Sequence, residues 1–167
     1  VVVIALTVFF CVSVTLAGVN LLVTLETGST DRTITLSSIS GATSVTGTYT
    51  VQSGDTSGDL TVGSIALSAG SLSDAAGNAM SSFSIGTNLA ASKALVIDGT
   101  APTITSVTSG TGDGTKKVGD AIAVTVNFSE AVTLAGGSLV VTLETGSTDR
   151  KVTLSSISSA MSASGSY

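Results

Sequence analysis

The 167 residues contain no histidine and no tryptophan, one cysteine (Cys11) and one proline (Pro102). Each shortage removes a class of chemistry. A single cysteine excludes a disulfide framework, and with no histidine it also excludes a Cys/His zinc site. Any metal must then be a hard cation held by oxygen, which means calcium before magnesium. Serine and threonine are plentiful, but a hydroxyl nucleophile needs a base, and neither Lys116 nor Lys117 stands in a serine–lysine motif. The acids lie in turns, junctions and strand ends, so a catalytic carboxylate pair is not expected and the chain reads as no enzyme. Charged residues are only 10% of the chain, with six basic against eleven acidic and a net charge of −5. That leaves no electrostatic footprint for nucleic acid.

No charge precedes Glu26, which raises the question of a signal peptide or a membrane span. A signal peptide carries basic residues ahead of its apolar stretch, and Val1–Leu6 has none. Thr7, Ser13, Thr15, Gly18 and Asn20 each weaken a spanning helix. The region also recurs later with Glu130 inside it. Strands are therefore expected there and no membrane span.

What the chain does have is Val, Ile and Leu interleaved with Thr and Ser, plus 19 glycines between the apolar runs. This is strand-forming material punctuated by turns. It also repeats. TLETGSTDR at Thr24–Arg32 returns unchanged at Thr142–Arg150, and Ile4, Phe10 and Tyr49 match Ile122, Phe128 and Tyr167, always 118 positions on. About 31 of the 49 overlapping residues are identical. About one and a half copies of one unit are present. The start at Val1 rather than methionine points to a piece of a longer tandem array, and such arrays build length and surface more than active sites.

Period-two alternation predicts a strand at Ile122–Phe128 and a second at Leu139–Leu143. GSTD then turns the chain into Val152–Leu154, making a hairpin. Glu144 and Arg150 flank its turn, where an exposed pair is worth well under about 1 kcal/mol; the expectation is a solvated hairpin end. In the first copy the expected strands are Thr48–Val51, Leu60–Leu67, a short one at Phe83 and Ile85, and Ala94–Ile97. Ser53–Asp59 reads as a polar turn and Ala69–Met80, with DAAGN at Asp74–Asn78, as a loop. DGTAPT at Asp98–Thr103 reads as a junction, Thr103–Val107 opens the next unit, and Gly110–Gly119 turns. The fold class expected is all-β, an antiparallel sandwich. Residues 1–98 form a repeat lacking its first strand, and 99–167 form the front of the next.

YTVQSGD (Tyr49–Asp55), SLSDAAGN (Ser71–Asn78), SKALVIDGTAPTI (Ser92–Ile104) and VGDAIAVTVNFSEAV (Val118–Val132) occur in that order. Together they resemble the bacterial immunoglobulin-like tandem repeats of large secreted or surface adhesins, across essentially the whole chain. The resemblance implies Ig-like β-sandwich repeats in tandem, export to the cell surface or medium of a bacterium, and a spacer or cell-adhesion role. The implied partners are neighbouring repeats of the same chain and a host or self cell-surface protein or glycan. Related cadherin-like arrays bind Ca2+ at or near their junctions. The oxygen donors available for that are Asp98 in the junction, Asp74 and Asn78 in DAAGN, and Glu130 at its strand end. Asp74 and Asn78 have an equally simple reading as turn residues that bond their own backbone. A carbohydrate-binding sandwich is the alternative function, but the aromatic pool for stacking a sugar is only Tyr49, Tyr167 and four phenylalanines, and the shared repeat position of the two tyrosines suggests sandwich packing more than an exposed platform.

The first copy departs from the second near its start. Asp120, Asn127, Ser129 and Glu130 stand where Val2, Phe9, Cys11 and Val12 stand in the first copy. A site that depends on Asp120 or Glu130 is therefore absent from the first copy, and Phe9 and Val12 become candidates for an exposed apolar edge.

Overall fold

Branched residues alternating with Thr and Ser fit a pleated surface that buries one face and wets the other. In the computed structural model, which describes residues 2–167, the chain is all-β, with several small antiparallel sheets. The helical content among the described residues is one 3-10 turn at Leu89–Ala91. No helix among those residues is long and apolar enough to cross a membrane. The chain divides into two compact units, Val1–Ala101 and Pro102–Tyr167, and the division falls inside DGTAPT.

Unit 1 contains β1 (Val3–Ala17), β2 (Leu21–Glu26), β3 (Arg32–Leu36), β4 (Ala42–Thr50), β5 (Thr56–Ser57), β6 (Thr61–Leu67), β7 (Ser71–Asp74) and β8 (Ile97–Asp98). Two three-stranded antiparallel sheets, β4-β1-β7 and β3-β2-β6, share one apolar core; β5 and β8 pair separately. Leu6, Val14, Tyr49 and Leu72 come from the first sheet, and Leu21, Val23, Leu25, Ile34, Leu36 and Val62 from the second. Leu21, Val23 and Leu25 are fully enclosed, each contributing about 1.5–3 kcal/mol by burial. The long strand β1 changes partner along its length. Val3–Phe9 lies against β4, the register slips between Phe9 and Val14, and Val14–Ala17 lies against β7 on the opposite edge.

Unit 2 contains β9 (Ile104–Thr108), β10 (Ala123–Val132), β11 (Leu139–Leu143), β12 (Arg150–Leu154) and β13 (Ala160–Ser166). The sheet β13-β10-β9 and the hairpin β11-β12 enclose a smaller cluster of Val124, Val126, Val152, Leu154 and Ile157. The pairing repeats that of unit 1. Tyr49 opposes Ile4, and Tyr167 exchanges both backbone bonds with Ile122 at 3.0 Å. The slip in β10, between Asn127 and Val132, falls at the same repeat position as that in β1.

A shared glycine holds the layers close. A Cβ on Gly47 would strike Leu36 and stand 2.7 Å from Ile34. On Gly165, its counterpart, it would stand 2.6 Å from Leu154 and 2.7 Å from Val152. Real Cβ atoms essentially never come that close, so a side chain at either position would force the facing Leu, Ile or Val methyls to shift.

Several expected elements are corrected. Ala69–Met80 is not all loop, since Ser71–Asp74 is strand β7. There the backbone ladder to Val14–Ala17 outweighs a run that reads as turn-forming. Phe83 and Ile85 form no strand; both are half-buried anchors of an irregular segment packed on the core. Of Ala94–Ile97 only Ile97 is in a strand, as the first residue of the two-residue β8, and of Thr48–Val51 the first three residues are the end of the nine-residue β4.

Candidate functional site

The buried polar chemistry of unit 1 gathers at one corner, around Asp55. Its side chain is 1% exposed, which would be costly for a lone charge. Three elements satisfy it. Arg32, the first residue of β3, donates from Nε to Oδ1 at 2.8 Å and brings a second guanidinium nitrogen to 2.7 Å of the same oxygen. Tyr49, near the end of β4, donates its hydroxyl to Oδ2 at 2.7 Å, and the Gln52 amide donates to Oδ2 at 2.9 Å.

Burial pushes the Asp55 carboxyl up, but the bonds from Arg32, Tyr49 and the Gln52 amide, with the Arg32 charge, outweigh it and hold the group at about 2. Burial, then the bond to Asp55, lifts the Tyr49 phenol to about 12. The bond to Asp55 raises Arg32 as well.

The junction closes over this corner. The Gly99 amide donates to the Asp55 carbonyl at 2.7 Å, and the Gly54 amide donates to the Gly99 carbonyl at 2.9 Å. A Cβ on Gly99 would collide with the Gln52 carbonyl and stand 2.9 Å from that of Asp55. Glycine is needed there for this close approach. The motifs YTVQSGD and IDGT are thus two halves of one lock, with Asp55 charged and sealed rather than presented to a substrate.

The arginine of the repeated hairpin therefore pairs with Asp55, not with the glutamate across its turn. In unit 2 Arg150 and Glu144 are both exposed and no salt bridge joins them among the described residues. The turn itself is held the same way in both units. Thr27 Oγ1 donates to the Thr30 carbonyl and Thr145 Oγ1 to that of Thr148, both at 2.9 Å.

The four calcium candidates belong to different elements of the two units. Asp74 and Asn78 meet: Asp74 accepts from the Ala76 amide at 3.0 Å, the Asn78 amide at 2.8 Å and Asn78 Nδ2 at 2.9 Å. The Asn78 side chain, then its backbone amide, lowers the Asp74 carboxyl. This is a self-bonded turn. Asp98 is exposed in β8, opposite Thr56, and accepts from the Thr100 amide at 3.1 Å. Glu130 belongs to β10 of unit 2. No group of three or more acidic or cysteine side chains comes together among the described residues. Tyr49, at 3% exposed and bonded to Asp55, is no stacking platform; Tyr167 is 44% exposed.

Sequence reading missed Asp55, treating it as part of a polar turn. The available signal was the recurrence of Arg and Tyr at fixed repeat positions, with an acid six residues after Tyr49. It also missed a groove of about 460 Å³ between β1 and the Met80–Ser92 stretch, lined by Val8, Phe10, Phe83, Ile85 and Leu89. Beside it Phe9 is 79% exposed. Comparison of the chain with protein-family models, curated proteins and solved structures gave no match.

Proposed function

We propose that this chain is a non-catalytic structural and adhesive module of a large bacterial surface or secreted protein, built of Ig-like sandwich repeats in tandem. The observation that carries the reading is the return of one strand pairing, one register slip and one packing glycine at a constant spacing of 118 residues. Units that recur in register, each around its own apolar cluster, lengthen a chain by addition. The buried charge fits the same role, since Arg32, Asp55 and Tyr49 are engaged with one another and the cluster ties the junction down. Its partners in this role are adjoining repeats and a cell-surface protein or glycan.

Small-angle scattering of a chain with two whole repeats tests the spacer role. The expected particle is elongated, near twice the length of one repeat, and a compact globule overturns the reading.

Calcium stiffening of the junction belongs to the same proposal, with exposed Asp98 supplying a carboxylate and backbone carbonyls and water the rest of the six to eight oxygens the ion takes, because those of Asp74 are bonded within its own turn. Extracellular modules bind calcium with Kd on the order of 10⁻⁴ to 10⁻³ M. Stabilisation should therefore emerge only in millimolar calcium and vanish in Asp98→Asn. Equal melting temperatures with and without the ion remove calcium from the proposal.

A further inference from the structure

We propose that Asp113 is a site of spontaneous covalent modification, its link to Gly114 passing through a cyclic imide to an isoaspartyl bond, while the fold protects the identical pair Asp98–Gly99. The inference stands apart from the functional reading above.

The sequence Asp-Gly-Thr occurs twice, at Asp98–Thr100 and at Asp113–Thr115. Glycine after aspartate lets the following amide nitrogen approach the side-chain carboxyl carbon, because no Cβ stands in the way. Two conditions then decide whether the pair reacts. The amide must be free of a hydrogen-bond acceptor, and the backbone must be free to turn.

The first pair meets neither condition. The Gly99 amide is committed to the Asp55 carbonyl at 2.7 Å, and the Gly99 carbonyl accepts from the Gly54 amide at 2.9 Å. Asp98 lies in β8 opposite Thr56, and its carboxylate accepts from the Thr100 amide at 3.1 Å. The carbonyls of Gln52 and Asp55 crowd the Gly99 α carbon. All of these groups belong to unit 1, and turning the Gly99 amide towards Asp98 Cγ would open the lock they form.

The second pair meets both. Residues 109–122 join β9 to β10 without a strand, and residues 113–119 are all exposed. Among the described residues no hydrogen bond engages the Gly114 amide or the Asp113 carboxylate, and a Cβ on Gly114 would meet nothing. One contact favours the reaction: Lys116 Nζ donates to the Asp113 carbonyl at 3.4 Å. That carbonyl shares its peptide with the Gly114 amide, so a cation on its oxygen acidifies the N–H that must be lost.

The atoms balance with water alone. The Gly114 nitrogen bonds to Asp113 Cγ, and the amide proton leaves with the carboxyl hydroxyl as one water. Water then returns at one of the two imide carbonyls. Attack at Cγ restores aspartate. Attack at the main-chain carbonyl carbon, the one whose oxygen Lys116 reaches, leaves the chain running through Cβ and Cγ. The product has one more main-chain carbon between β9 and β10, with mass and charge unchanged, so the loop accumulates a covalent record of age.

The test ages the full chain at neutral pH in heavy-oxygen water and digests it with a lysine-specific protease. One peptide, Ala94–Lys116, then carries both sites. Electron-transfer fragmentation distinguishes isoaspartate from aspartate at each, and every passage through the imide leaves a labelled oxygen. Isoaspartate should form at Asp113 about tenfold or more faster than at Asp98, the factor imposed by the bond and packing at Gly99. In guanidinium, where both segments are unfolded, the two rates should converge. Lys116→Met should slow Asp113 by about 1.5- to fivefold, the worth of an exposed charged contact. Equal rates in the folded chain overturn the proposal, as does an Asp113 that takes up no label. A difference that persists in guanidinium overturns protection by the fold, and an unchanged rate in Lys116→Met overturns the part given to Lys116.

Discussion

Leu21, Val23 and Leu25 in unit 1 and Leu139, Val141 and Leu143 in unit 2 are the same residues at the same repeat positions, yet the first three are sealed and the second three half-buried. The hairpins β2-β3 and β11-β12 pair in the same register. What differs is the neighbourhood. In unit 1 strand β6 lies on the other edge of β2, and β7 and the Phe83–Leu95 stretch complete the core. Thr27 and Arg32 show the same contrast with Thr145 and Arg150, which are exposed. A strand's sequence fixes which face is apolar; the strands beside it decide whether that face is dry.

The largest difference between the units should come from Asp55. Asp55→Ala strands the Tyr49 hydroxyl, the Gln52 amide and the Arg32 charge, and should cost unit 1 about 3–5 kcal/mol. Denaturant unfolding followed by exchange of unit 1 amides measures this. Arg150→Ala in unit 2 should stay within about 0.5 kcal/mol, and equal losses from the two substitutions would erase the contrast.

Gly47→Ala and Gly165→Ala probe what the units share. Each added methyl enters space already filled by the facing strand, so both should lose about 1–3 kcal/mol, unit by unit. A large loss in one and none in the other would mean that the layers are not equally close.

Acid should also act on unit 1 selectively. Asp55 titrates at about 2 in the fold against an ordinary value near 3.8. Its contribution is present above the ordinary value and is lost as pH falls through the folded one, a change on the order of 2 kcal/mol between roughly pH 5 and pH 1. Tyr49 acts at the other limit, since a phenol raised to about 12 withdraws stability as pH climbs from 10 towards 12. Exchange-monitored stability across both ranges checks the sign of each.

The smallest effect expected is a gain. Gly41 has φ +57°, and its counterpart Ser159 holds φ +46°, where a side chain is strained. The amides of both bond the same repeat threonine at 3.0 Å, Thr15 or Thr133, so the conformation is imposed by the fold. Ser159→Gly should stabilise unit 2 by up to about 1 kcal/mol in denaturant unfolding, and a loss would show that the serine is at ease there.

Local pattern was enough for the all-β class, the hairpin Leu139–Leu143 with Val152–Leu154, the turn chemistry of GSTD and the 118-residue repeat, because alternation and turn propensity act over a few residues. It misled at Ser71–Asp74 and at Phe83–Ile85. Whether those stretches are strands depends on which edge they reach, and β1 offers one to Ser71–Asp74. The lock around Asp55 joins residues 6 and 23 positions away with a glycine beyond both. Period and composition carry the near order of a chain; burial and ion pairing arise from distant segments meeting, and only the folded molecule brings those together.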